Sequence, residues 1–161
     1  MKRIPLTKGF FAIVDDTDFD SLSQFKWHAT RNRRTGNVYA NTTIYKDRAL
    51  TTSMHRMILG LKFGDKRTGD HRNHDTLDNR RSNLRIATDW QNKFNRGKTR
   101  KNKSGFKGVS WEKCCRKWRA CIALPGPKRR TVHLGLFVNP KDASIAYQEA
   151  LKKIAGEFAC H

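Results

Sequence analysis

Apolar positions fall into short clusters, each with its own period. Phe10-Phe11-Ala12-Ile13-Val14 is a compact apolar run that stops at Asp15-Asp16, a strand ending in an acidic turn. Phe19, Leu22 and Phe25 recur every third residue, which predicts a helical turn or two starting near Asp18. Arg33-Arg34-Thr35-Gly36-Asn37 reads as a turn between Trp27-His28-Ala29 and a strand over Val38–Tyr45. Met54, Ile58 and Leu59 form the core side of a segment that carries His55 and Arg56. Leu84-Arg85-Ile86 alternates like a strand, and Thr88 with Gln91 makes a capping box that starts a helix at Asp89.

Beyond residue 104 the pattern changes. Strands are expected over 106–111, 117–124 and 131–135, the last two separated by the turn Pro125-Gly126-Pro127-Lys128. Asn139 or Asp142 starts a helix in which Ala143, Ala146, Tyr147, Ala150 and Leu151 repeat at i, i+3, i+4, i+7 and i+8. The expected unit is a three-stranded antiparallel sheet packed on one helix. Alternation turns Trp118, Ala120, Ile122, Val132 and Leu134 toward the helix. Arg119, Cys121, Thr131 and His133 then face outward, beside Lys107 and the basic turn Lys128-Arg129-Arg130. The whole chain is therefore expected to be α+β.

Charge adds a partner to this outline. The 161 residues hold 34 Lys and Arg against 14 Asp and Glu, a net +20. Residues 1–54 carry +4, 55–96 carry +5, 97–104 carry +4 and 105–161 carry +7, so the excess is spread over folded stretches. Such an excess calls for a polyanion, and double-stranded DNA is the expected partner. Residues 97–104 contain no apolar side chain; Lys98, Arg100 and Lys101 make them a linker able to follow a phosphate backbone. A hydrophobic content of 37% argues against a disordered basic tail. No run approaches the ~18 apolar residues of a membrane span and no secretory leader is evident, so a cytoplasmic protein with no membrane partner is expected. The four cysteines lack C-x₂-C spacing: Cys114, Cys115 and Cys121 with His133, and the terminal Cys160-His161, are expected to be reduced thiols with no structural zinc.

The chemistry lies between Asp70 and Asn92. Asp70-His71 precedes a polar loop at 72–82, then come the strand at 84–86 and the capped helix. A carboxylate and an amide oxygen are hard ligands suited to Mg²⁺, with Mn²⁺ possible, and leave positions for water and phosphate. A neutral imidazole can take a proton from an attacking water near neutral pH, and a second amide can fix its tautomer. This set suits metal-assisted phosphodiester hydrolysis.

Asp70-His71, Asp78-Asn79-Arg80, Asn83-Leu84-Arg85 and Asn92 resemble the HNH endonucleases, specifically the phage and intron-associated homing type. Ile4-Pro5-Leu6-Thr7, Val14-Asp15-Asp16, Lys26-Trp27-His28 and Met54-His55-Arg56 resemble the segment preceding that motif. The resemblance implies a ββα-metal core at about 54–96 within a nuclease domain at 1–96, the remainder forming a β-rich extension. It implies His71 as general base, Asp70 and Asn92 as ligands of one divalent metal, and Asn83 as the residue orienting His71. Asn79, His55 and Arg56 are expected to be structural or near the site, and His74 exposed. Residues 105–161 resemble the Apetala/ethylene-response-factor DNA-binding domain through Ser104-Gly105-Phe106-Lys107-Gly108-Val109, Lys117-Trp118, His133-Leu134-Gly135 and Gly156-Glu157-Phe158-Ala159. That resemblance implies DNA contacts from Lys107, Thr131 and His133, to which the outward sheet face adds Arg119 and the basic turn adds Arg129 and Arg130. Ser110 and Glu112 stand where that family usually has arginines. The expected activity is site-specific DNA cleavage by a monomer or weak dimer. The alternative is a DNA-binding regulator with a silent nuclease fold.

Overall fold

The computed structural model describes every residue except Arg34, Lys46, residues 98–101, Pro125, Pro127, Arg129, Cys160 and His161. The fold is α+β, assembled from several small antiparallel sheets, and it divides into two compact units, Met1–Asp89 and Trp90–His161. The division falls at the start of a helix, upstream of the basic stretch at 97–104.

In the first unit, β1 (Lys2–Pro5) and β2 (Phe11–Val14) form a hairpin, followed by α1 (Asp16–Ser23). Then β3 (His28–Arg31), β4 (Val38–Tyr45) and β5 (Ala49–Ser53) make a meander that runs straight into the short α2 (Met54–Ile58). A second hairpin pairs β6 (Thr68–His71) with β7 (Leu84–Ala87) in the register Asp70↔Arg85 and His71↔Leu84. The alternating positions of β2 and the spaced apolar residues of α1 and α2 converge on one core. It contains Ile4, Ala12, Val14, Leu22, Trp27, Ala40, Met54, Ile58 and Leu84. Trp27 is buried, and its indole N–H donates to the Leu22 carbonyl at 2.8 Å. α1 begins two residues earlier than the apolar spacing suggests, with Asp16 and Asp18 in its first turn, where carboxylates favour the positive end of the helix.

The second unit contains most of α3 (Asp89–Asn95), whose first residue is the starting position expected from the capping pattern. A three-stranded antiparallel sheet of β8 (Val109–Glu112), β9 (Lys117–Leu124) and β10 (Arg130–Phe137) follows, with β9 central. α4 (Pro140–Ala155) packs across it. Asn139 caps α4, its side chain accepting from the Lys141 amide at 2.9 Å, and Pro140 occupies the first turn, where its missing N–H costs nothing. The buried stripe is Ala143, Tyr147, Leu151 and Ala155. The first strand is shorter than expected because residues 106–108 turn, and Gly108 (φ 73°) lies under Tyr147, where a Cβ would come within 2.1 Å of the ring. A register shift between His133 and Gly135 brings Gly135 opposite Ala120 and Phe137 opposite Trp118. It keeps Leu134 and Phe137 on the core and leaves Leu136 outward. Among the described residues no helix is long and apolar enough to cross a membrane.

Candidate functional site

The loop joining β6 to β7 is polar apart from Leu77, which packs on the core, and its order comes largely from side chains completing backbone bonds. Asn73 accepts from the Asp75 amide at 2.8 Å, and Asp75 accepts from the Leu77 amide at 3.0 Å. Asp78 grips Arg80 through Nε at 2.8 Å and Nη2 at 2.7 Å. These are turns of the kind Asn and Asp form without help from a core. The Arg80 guanidinium holds the Asp78 carboxyl below its ordinary pKa.

Three elements of the first unit hold this loop from outside. The Ile13 amide donates to the Leu77 carbonyl and the Asn79 amide to the Ile13 carbonyl, both at 2.8 Å, so the loop docks on β2. Arg81 makes a two-pronged ion pair with Asp18 at 2.6 and 2.8 Å, and its amide donates to Asp15 at 2.8 Å. Thr76 donates to the Val38 carbonyl at 2.6 Å. The loop therefore has few ways to move independently of β6.

Asp70 and His71 end β6, each only 5% exposed. Asp70 faces Arg85 directly across the hairpin, and Arg85 Nε donates to Asp70 Oδ2 at 2.8 Å. Both partners are buried, so the guanidinium neutralises and orients a carboxylate that would be costly alone. Sequence reasoning missed Arg85. Its place follows from strand pairing: with His71 opposite Leu84, Arg85 stands opposite Asp70.

His71 Nε2 lies 3.4 Å from Asn79 Oδ1. The Asn79 amide cannot be turned around, because its Nδ2 donates to the Leu77 carbonyl at 3.1 Å. Oδ1 can only accept, so Nε2 carries the proton in the neutral ring and Nδ1 carries the lone pair. Burial pushes the His71 pKa below 6.5, against the opposing effects of Asn79 and the nearby carboxylates, and favours the neutral ring near pH 7. The rings of His55 and Tyr39 stand beside it, with centroids 5.0 and 6.3 Å away.

Asn83 does not orient this ring. Its Nδ2 donates to the Asp78 carbonyl at 2.7 Å and its Oδ1 accepts from the Asn73 amide at 3.0 Å. The reason is register: the Arg72 amide donates to the Asn83 carbonyl at 2.9 Å, which puts Asn83 at the mouth of the loop. It closes the turn, while Asn79 faces the imidazole. His74 is exposed, as expected, in a left-handed conformation (φ 64°). Arg56 is structural: its guanidinium donates to the carbonyls of Arg67 at 3.1 Å and Lys62 at 2.9 Å. Asn92 lies in α3, within the second unit.

Lys107 is engaged within the fold. Its ammonium donates to the carbonyls of Phe94, at 2.6 Å, and of Arg96, so it caps the C-terminal end of α3. A cation there meets the negative end of the helix and the carbonyls left unpaired by its last turn. On the open face of the sheet, Arg119, Thr131 and His133 are exposed as expected, with His133 opposite Cys121; Arg130 is exposed at the start of β10. Arg119 is paired with Glu112 at 3.0 Å. Lys98, Arg100, Lys101 and Arg129 lie outside the described residues, as do Cys160 and His161. Cys114 and Cys115 are exposed in the β8–β9 turn, their Sγ atoms 3.2 Å apart.

Among the described residues no three His, Cys, Asp or Glu side chains form a cluster able to hold a metal by themselves. The expected donors, the Asp70 carboxylate and the Asn92 amide, are hard oxygens whose chemistry fits Mg²⁺ or Mn²⁺ completed by water and phosphate.

No family profile and no solved structure matches the chain. A protein of Acanthamoeba polyphaga mimivirus, named an uncharacterised HNH endonuclease, is 31% identical over 152 residues, spanning 94% of this chain and 74% of its own length. With that identity over nearly its whole length, the chain belongs to the HNH endonuclease family.

Proposed function

We propose that this protein is a metal-dependent, site-specific DNA endonuclease of the homing type, with a ββα-metal core. The observation that carries the reading is the geometry at His71: a buried imidazole at the end of β6 with Nε2 3.4 Å from the Oδ1 of an Asn79 amide that is itself tied to the Leu77 carbonyl, an arrangement that favours a neutral ring protonated at Nε2. Nδ1 then takes a proton from water, and Asn79 stabilises the imidazolium through Nε2–H. Asp70, oriented by Arg85, and Asn92 would hold one divalent cation. Bound there, the cation would offset charge on the scissile phosphate and the leaving oxygen. Asn83 keeps the loop closed so that His71 and Asn79 stay in register.

The second unit reads the DNA in this proposal, as an Apetala/ethylene-response-factor-type module. Arg119, Arg130, Thr131 and His133 lie on or beside a sheet face of the kind that enters a major groove, and the +7 charge of residues 105–161 favours phosphate contact. Lys98, Arg100, Lys101 and Arg129 add phosphate contacts by charge. A monomer has one site and nicks one strand; a double-strand break follows from a weak dimer or a second visit.

The test is incubation with duplex DNA and Mg²⁺ or Mn²⁺, followed by mapping of the ends. Cuts at a restricted set of positions, abolished by chelator, are expected. Binding without a nick under either metal refutes the nuclease reading.

A further inference from the structure

His55 has no role in the chemistry above, yet its ring is packed against the ring that does. α2 lies against β4, β5 and β6, bringing His55 between Tyr39 and the end of β6. The His55 and His71 centroids are 5.0 Å apart with planes at 72°, an edge-to-face contact. Tyr39 lies 6.0 Å from His55 and 6.3 Å from His71, so each ring touches the other two. From the β6 side, a Cβ on Gly69 would fall 2.4 Å from His55 Cδ2 and 3.1 Å from Leu59 Cδ1. Only a residue without a side chain lets His55 sit this close to the strand carrying Asp70 and His71.

The terminal torsion of histidine is broad, and the 3.4 Å separation from Asn79 is long for an N–H···O bond. The packed rings add a steric restraint on rotation of the imidazole. Burial also lowers the His55 pKa to about 3, so near neutral pH the neighbour acts through its shape.

We propose that His55 is a positioning residue for His71: a ring wedged between Tyr39 and Gly69 whose contact fixes the orientation of the imidazole and hence the nitrogen presented to water. This deepens the nuclease reading and rests on His71 being the general base. A misoriented base keeps its DNA affinity and loses rate, since small displacements of a reacting group cost about tenfold to a hundredfold.

The test uses the full chain with His55→Ala, His55→Phe and Gly69→Ala. Single-turnover plasmid nicking with Mg²⁺, DNA affinity, and the ¹⁵N signals of the His71 ring in metal-free protein are measured. His55→Ala is expected to slow nicking about tenfold or more at unchanged affinity. It should also shift the His71 signals from a single tautomer toward an average of two. His55→Phe restores the ring contact and returns the rate to within a few-fold of wild type. Gly69→Ala, which drives His55 off its seat, should behave like His55→Ala. Unchanged His71 signals in His55→Ala, or a wild-type nicking rate, overturn the proposal. If His55→Ala does not fold, Gly69→Ala with wild-type rate and signals overturns it equally. Failure of the underlying reading looks different, because His71→Ala would then still cut while the ring signals continued to report on His55.

Discussion

Replacing His55 with phenylalanine should flatten the dependence of stability on pH in mildly acidic solution. The half-buried histidine packs against the Tyr39 and His71 rings and Gly69, and loss of solvent, helped by His71 and Arg56, lowers its pKa from 6.5 to about 3. The unfolded chain therefore binds a proton at this residue below pH 6.5, whereas the fold does not until about pH 3. Stability is greatest above the unfolded value and falls with pH across that window, by up to about 1.4 kcal/mol per unit for one proton. Between pH 6.5 and 4.5, above the range where carboxylates dominate, two units give a loss of roughly 2–3 kcal/mol. Phenylalanine keeps a ring in place and does not titrate, so subtracting the two profiles cancels every other group to first order. Urea unfolding of both proteins at half-unit steps of pH provides the assay. The wild-type midpoint should fall steeply relative to that of the variant. Parallel profiles would show that His55 accepts a proton within the fold, and would refute the packed, neutral ring.

Three further substitutions test other parts of the structure. Lys107→Met removes the cation from the end of α3 and should cost about 1 kcal/mol in thermal or urea unfolding. The salt dependence of DNA binding should stay unchanged; a slope reduced by about one would return Lys107 to the DNA contacts. His74→Gly relieves the left-handed strain at φ 64° and should stabilise the fold by about 0.5–1 kcal/mol after the extra freedom of the unfolded glycine. Destabilisation would mean that the exposed imidazole holds the loop. Glu112→Gln releases Arg119 and should tighten duplex binding about three- to tenfold at low salt, the gain shrinking as salt rises. No gain would place the open sheet face away from DNA.

Secondary structure was legible wherever one force set it. β9 spans the residues its alternation indicates, and α4 begins after Asn139 because a capping side chain and a following proline act locally. The polar loop was legible as a loop, since Asn and Asp at close spacing make their own turns. The roles of its two asparagines were not: Asn79 and Asn83 carry the same group, and only the register of β6 with β7 decides which reaches the imidazole. The cap that Lys107 places on α3 was not legible for a related reason, because a lysine on a basic stretch serves phosphate or helix end equally well by composition. Tyr39 left no local signal, and His55 was marked only by the resemblance of Met54-His55-Arg56, without a role. They meet His71 through the packing of α2 and β4, which no spacing along the chain encodes.

In the proposed nuclease His71 carries the chemistry, while other parts of the chain hold the DNA. The most direct test is His71→Ala in the full chain, comparing duplex binding with nicking in Mg²⁺ on the same DNA. Wild-type affinity is expected, with cleavage reduced by about a hundredfold or more, as loss of a general base requires. Cleavage at the wild-type rate in that variant would contradict this role of His71.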